Sequence, residues 1–122
     1  MTFEPKSEKE IADGEVWPKG EYDFEVTDAQ DKVSQASNEM IVLRLKITDA
    51  DGLTRMVTDY LLAKKPRKFR NAAVACGLKI QYDRGQLNGA DFKGATGILK
   101  LGIERARNGY PRRNAVMDYV EH

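Results

Sequence analysis

Two short segments hold most of the side chains able to bind an anion. Residues 64–70, KKPRKFR, place Lys64, Lys65, Arg67, Lys68 and Arg70 within seven positions. Residues 105–113, RARNGYPRR, add Arg105, Arg107, Arg112 and Arg113 with no acid among them. Each segment also carries one aromatic ring, Phe69 or Tyr110. Cations neutralise phosphates and flat rings stack on bases, so these residue types together suit an unpaired polyanion. No acid falls between Asp59 and Asp83. The net charge of the 122-residue chain is only +1, which hides a division. Residues 1–31 hold ten acids and three bases, a local charge of −7, and the remainder holds 17 bases and nine acids, or +8. Such asymmetry bears on partners rather than on fold.

Other chemistry has little to stand on. The chain has one histidine, His122, and one cysteine, Cys76. These counts exclude Ser-His-Asp and Cys-His machinery, an internal disulfide and a Cys/His zinc site within one chain. Asp49-Ala50-Asp51-Gly52 opens like a calcium loop, but the twelfth position would be Tyr60 instead of glutamate, so a turn is expected there. The pairs Asp28/Asp31 and Asp59/Asp83 have no spacing that marks a Mg²⁺ nuclease site. Gly94-Ala95-Thr96-Gly97 lacks the Gly-Lys-Ser/Thr of a phosphate loop and precedes a strand. Cys76 falls on an apolar helix face, where a packed thiol is expected rather than a reactive one. The expectation is a binding protein that is not an enzyme and has no cofactor or metal.

These side chains must be positioned by a small domain. The chain is 41% hydrophobic and 32% charged, a globular balance for one domain. No apolar run approaches the roughly 18–20 residues that cross a bilayer. Met1 to Glu15 lacks the apolar stretch of a secretory signal, so a cytoplasmic, non-membrane protein is expected. Residues 1–16 form an acidic arm, expected to be a solubilising tail rather than a cover for the basic surface. Residues 17–122 form the domain.

Within it, Trp17-Pro18-Lys19-Gly20 is a turn feeding a strand over Glu21–Thr27. Tyr22, Phe24 and Val26 share one face of that strand, and Glu21, Asp23 and Glu25 share the other. Residues 29–38 are expected to be a polar loop. A second strand spans Met40–Thr48, with Ile41, Leu43, Leu45 and Ile47 on one face and Arg44 and Lys46 on the other. Asp51-Gly52 marks a hairpin turn into a third strand, about Leu53–Leu61, whose inward face the pattern leaves undecided. A helix follows, with Pro66 in its first turn, an apolar stripe of Phe69, Ala72, Ala73 and Cys76, and Gly77 at its end. No Ser, Thr, Asp or Asn immediately precedes Pro66 to cap it. Residues 79–97 are irregular, with room for one helical turn in 86–92. Strands at about Thr96–Arg105 and Asn114–Val120 flank the turn signal Asn108-Gly109.

Five short strands with a helix between the third and fourth match the order of a five-stranded OB-fold barrel, the expected fold of a mainly β chain; a half-open sandwich is the competing architecture. OB barrels bind along strands 2 and 3 and the loops between strands 1–2 and 4–5. The expected nucleic-acid surface therefore holds Arg44, Lys46 and Arg55 pointing outward, Lys32 from the first loop, and Arg105, Arg107, Tyr110, Arg112 and Arg113 from the last hairpin. Lys64, Lys65, Arg67 and Lys68 extend it. Tyr60 divides between core and surface on pattern alone and is carried as a binding candidate. Trp17 is expected to plug the core or its rim, and Tyr22 and Phe24 to lie in the core.

A wider pattern joins these pieces. Trp17-Pro18-x-Gly20-x-Tyr22, Ser37-Asn38-x-Met40 leading into Leu43 and Leu45, Asp49 and Gly52, Asp59-Tyr60-Leu61, Ala75-x-Gly77, and Asn114-x-Val116 leading to Tyr119 run in order over about residues 15–120. The chain resembles the small single-stranded DNA-binding proteins of tailed bacteriophages and prophages. That resemblance implies an OB-fold protein that coats single strands, largely without regard to sequence, during phage replication and recombination in the cytoplasm of a bacterial host. Bacterial counterparts commonly end in a long acidic tail that recruits partners; this sequence closes on Asp118-Tyr119-Val120-Glu121-His122, so recruitment by such a tail is not expected. Single-stranded DNA is the expected partner, with replication or recombination proteins and a second copy of the chain admitted. The alternative is a protein–protein interaction module, a phage structural part or an inhibitor of a host enzyme, and a Mg²⁺-dependent nuclease stands third.

Overall fold

Alternation of side-chain type dictates the centre of the sheet. In the computed structural model, which describes residues 2, 16–33, 37–106, 109 and 111–120, strand β2 (Glu39–Thr48) buries Ile41, Leu43, Leu45 and Ile47 and turns Arg44 to solvent. Strand β1 (Gly20–Val33) buries Phe24 and Val26 and turns Glu21 and Asp23 outward. Its register against β2 shifts between Val26 and Asp28. The extra residue reverses the parity of the faces, so Ala29 continues the buried row and Asp28 stays outside the core.

β1 is twice as long as the sequence leads one to expect. The segment 29–33 pairs with 39–43 instead of forming a loop. The apolar row of β2 continues as far as Ile41, and the backbone amides and carbonyls beside it need partners. A polar partner strand suffices, because strand propensity mostly reports how well side chains pack on a half-buried sheet. At the other end of β2 the Asp49 carboxylate accepts hydrogen bonds from the N–H groups of Asp51 and Leu53, both 2.9 Å, and Gly52 takes φ +82. These two bonds from one carboxylate oxygen close the turn that Asp51-Gly52 leads one to expect. Strand β3 (Thr54–Leu62) then runs back along β2.

Helix α1 (Pro66–Ala75) buries Ala72, Ala73 and Ala75, while Phe69 is half-buried against Tyr82 at 5.8 Å between ring centroids. Lys65 precedes it without a side-chain cap, and Gly77 leaves it at φ +76. Two short helices follow, α2 (Lys79–Asp83) and α3 (Gly89–Phe92). α3 is the turn expected within 86–92, and a capping box between Asn88 and Asp91 delivers Phe92 fully buried into the core. α2 was not evident in the sequence, since a single turn of helix carries no measurable period. A Cβ at Gly97 would lie 3.0 Å from the Phe24 ring and 3.1 Å from the Ala75 carbonyl, so glycine lets the end of α1 close on the sheet.

Strands β4 (Thr96–Glu104) and β5 (Arg113–Tyr119) complete one antiparallel sheet in the order β3-β2-β1-β4-β5. The mainly β class and the five strands are as expected. The sheet is not closed into a ring of hydrogen bonds: β3 and β5 are its two edges, and side chains rather than a backbone ladder bridge them. None of the helices among the described residues is long and apolar enough to cross a membrane. The acidic arm falls almost wholly outside the described residues.

Candidate nucleic-acid interface

The seam between β3 and β5 is where the sequence brings its scattered cations together. It is a groove of about 720 Å³, lined among others by Arg55, Met56, Thr58, Tyr60, Lys68, Glu104, Arg112, Arg113 and Asn114. Each element contributes for a local reason. β3 turns Met56, Thr58 and Tyr60 outward because Val57, Asp59 and Leu61 occupy the inward parity, and Tyr60 is 56% exposed. α1 offers Lys68 from its first turn. β5 begins at Arg113, immediately after the Pro111-Arg112 end of the β4–β5 loop.

The floor of the groove is a buried polar network. Asp59, 6% exposed, accepts hydrogen bonds from the Tyr119 hydroxyl at 2.7 Å, Lys68 Nζ at 2.8 Å and the Tyr60 N–H at 2.9 Å. Lys68 Nζ also donates to the Val116 carbonyl at 2.8 Å. Lys68 thereby ties α1, β3 and β5 into one unit. Burial, and then the adjacent Asp59 carboxylate, push the Tyr119 hydroxyl well above its ordinary range, so it stays protonated and donates. Cys76 is half-buried, and burial pushes its thiol up to about 12; the protonated, unreactive form dominates at neutral pH.

At the other end of the seam Asn114 is the hub. Its Oδ1 accepts from the Trp17 N–H at 2.8 Å and from Arg55 Nη1 at 3.1 Å, and its Nδ2 donates to the carbonyls of Trp17 at 2.8 Å and Gly102 at 3.2 Å. Arg55 lies over the Trp17 ring, 5.4 Å from its centroid. Trp17 is thus the rim plug expected, packed also on Tyr22 at 5.5 Å.

Several expected site residues lie elsewhere. Arg55 takes the inward parity of β3 rather than the outward one, because Trp17 and Asn114 offer its guanidinium a ring face and an acceptor. It still lines the seam. Arg44 is exposed on the outer face of β2, away from the groove. Lys46 shares that face and pairs with Glu25 at 3.2 Å. Lys32 sits in the β1–β2 hairpin beside Asp31 and Glu39, not in a loop beside the seam. Lys64 and Lys65 are exposed in the turn before α1, and Arg67 faces a different recess from Lys68. Arg105 is exposed just after β4; Arg107 and Tyr110 lie outside the described residues. The seam therefore unites Arg55, Tyr60, Lys68, Arg112 and Arg113. Met56, Thr58 and Asn114 join them; the outward parity of β3 would have identified the first two once Asp59 was known to point inward.

Charge separates the seam from the grooves on the β1 side. Its described lining holds four bases (Arg55, Lys68, Arg112, Arg113) against two acids (Asp59, Glu104), with Arg113 Nε 2.8 Å from Glu104. The groove over β1, β2 and β4 holds Asp23 and Glu25 against Lys46, and the hairpin groove holds Asp31 and Glu39 against Lys32. Among the described residues no cluster of three or more His, Cys, Asp or Glu side chains could hold a metal ion. No protein-family model matches the chain, and no curated protein matches it.

Proposed function

We propose that the protein binds single-stranded DNA, without catalysis and with little sequence preference, in the β3/β5 seam. One observation carries this: bases outnumber acids two to one along a groove that also exposes Tyr60 and Met56. Arg112, Arg113 and Arg55 meet phosphates at one end, and Tyr60 offers a face on which a base stacks. The strand order fits an OB barrel sprung open between its third and fifth strands, with α1 beneath the opening. The likeness to phage single-stranded DNA-binding proteins supports the setting, coating of single strands during replication and recombination inside a bacterial host.

The test is a titration of a labelled thymine oligonucleotide at three salt concentrations. Binding is expected to weaken with salt by about 0.7 log units per log unit for each phosphate neutralised. Binding indifferent to salt, or none at low salt, overturns the proposal. A stoichiometric protein partner with no nucleic acid on pull-down would select the protein-binding alternative.

A further inference from the structure

We infer that Trp17 and Asn114 are positioning residues of the interface: together they hold Arg55 as a preset anchor for one phosphate of the strand. This rests on the seam binding single-stranded DNA. Arg55 differs from Lys68 and Arg113 in what holds it. Those two each lie 2.8 Å from a carboxylate oxygen, of Asp59 and Glu104 respectively. Arg55 Nη1 instead donates to Asn114 Oδ1 at 3.1 Å, and its guanidinium lies 5.4 Å from the centroid of the Trp17 ring. An amide and an indole are neutral, so they fix the guanidinium without cancelling its charge. The two acids in the described lining of the seam are engaged by other groups: Asp59 accepts from Tyr119, Lys68 and the Tyr60 N–H, and Glu104 lies against Arg113. Arg55 is also half-buried, where a charge is screened less than in open water.

The two holders are themselves held. Asn114 Oδ1 also accepts from the Trp17 N–H at 2.8 Å, and its Nδ2 donates to the carbonyls of Trp17 at 2.8 Å and Gly102 at 3.2 Å. The side chain that accepts from Arg55 thus also fixes the backbone that carries the ring. That ring packs on Tyr22 at 5.5 Å between centroids, and the Tyr22 hydroxyl donates to the Pro18 carbonyl at 2.6 Å. Groups from β1, β4 and β5 therefore converge on one guanidinium of β3. A side chain ordered beforehand loses little conformational entropy when a ligand arrives. A guanidinium carries several N–H donors in a planar fork that matches phosphate oxygens, and Asn114 takes one of them.

The experiment measures affinity for a thymine oligonucleotide of about 15 nucleotides by fluorescence anisotropy at three salt concentrations. Arg55→Gln is expected to bind about tenfold more weakly, with a salt slope shallower by about 0.7. Arg55→Lys is expected to keep the slope and still bind about fivefold more weakly, because an ammonium lacks the planar fork that Asn114 and the Trp17 ring orient. Trp17→Leu and Asn114→Ala should each weaken the wild type by about fivefold and leave Arg55→Gln unchanged, since both act through Arg55. Thermal denaturation reports whether each variant folds; where one does not, the two Arg55 variants decide. Full affinity in Arg55→Gln overturns the anchor, and full affinity in Arg55→Lys overturns its positioning. Equal losses from Trp17→Leu and Asn114→Ala on both backgrounds make those residues structural only and overturn the inference. The seam stands in each of these cases, whereas a wild type that binds no strand at low salt overturns both.

Discussion

The β3/β5 seam and the outer face of β1 and β2 are built from the same kinds of residue and end with opposite electrostatic character. On the outer face two bases meet acids: Lys46 lies opposite Glu25 in register and 3.2 Å from it, and Lys93, at the end of α3, reaches Asp28 at 3.5 Å. In the seam the acids are spent on structure. Asp59 is surrounded by three donors, and Glu104 lies 2.8 Å from Arg113 Nε. Lys68, bonded to Asp59, is as much a structural cation as Lys46, so counting bases along the sequence overstates both regions; what distinguishes the seam is that Arg55, Arg112 and Arg113 line one groove together.

The largest break in that comparison is Asp59→Ala. It strands the Tyr119 hydroxyl and the Lys68 ammonium beside a cavity, and about 3 kcal/mol of unfolding free energy should go in urea denaturation. A loss under about 1 kcal/mol would show that the network does not hold the seam. Next comes Arg112→Ala/Arg113→Ala, expected to weaken binding of every single-stranded sequence alike by about 2 kcal/mol, roughly thirtyfold, at low salt. Unchanged affinity removes the end of the β4–β5 loop from the interface. Tyr60→Ala should cost about 1 kcal/mol of binding, whereas Tyr60→Phe, which keeps the ring face, should cost little. Equal losses in the two variants would mean that Tyr60 is no stacking platform.

Alkali probes the wall beneath the seam. Below pH 9 the Cys76 thiol is protonated in both folded and unfolded chains and its contribution is complete. Its folded value is raised from the ordinary 9.0 to about 12, so stability falls as pH rises between those limits, and Tyr119 adds a loss of the same sign above its ordinary 10.0. Denaturation midpoints at pH 7, 9 and 10.5 should decline in the last step, less steeply in Cys76→Ala; parallel declines would place the titration elsewhere. The smallest effect belongs to the β2 face. Both members of the Lys46–Glu25 pair are 44% exposed, and Lys46→Ala should change stability by less than about 0.5 kcal/mol and affinity less than about twofold. A loss matching that of the arginine pair would move the site to the β2 face.

Much of the sheet was legible because burial on one face imposes a period of two. Ile41, Leu43, Leu45 and Ile47 announce β2, and Asp51-Gly52 announces the turn after it. The extension of β1 to Val33 was not, because 29–33 is a strand only through its partner. The site was half legible. Composition located Arg112, Arg113 and Lys68 as candidates, but nothing local distinguishes Lys68, which is bonded to Asp59, from Arg67, which is not.

By itself the sequence determined the strands that alternate, the helix that Pro66 opens and Gly77 ends, and the acidic and basic halves. These follow from local sterics and from counting. Tertiary structure alone decided that Asp59 is buried, that Arg55 turns inward over Trp17, and that cations from β3, α1 and β5 converge. A charge gains its meaning from neighbours within a few ångströms, and Asp59 and Tyr119, sixty residues apart in the chain, come within 2.7 Å of one another only when the sheet has folded.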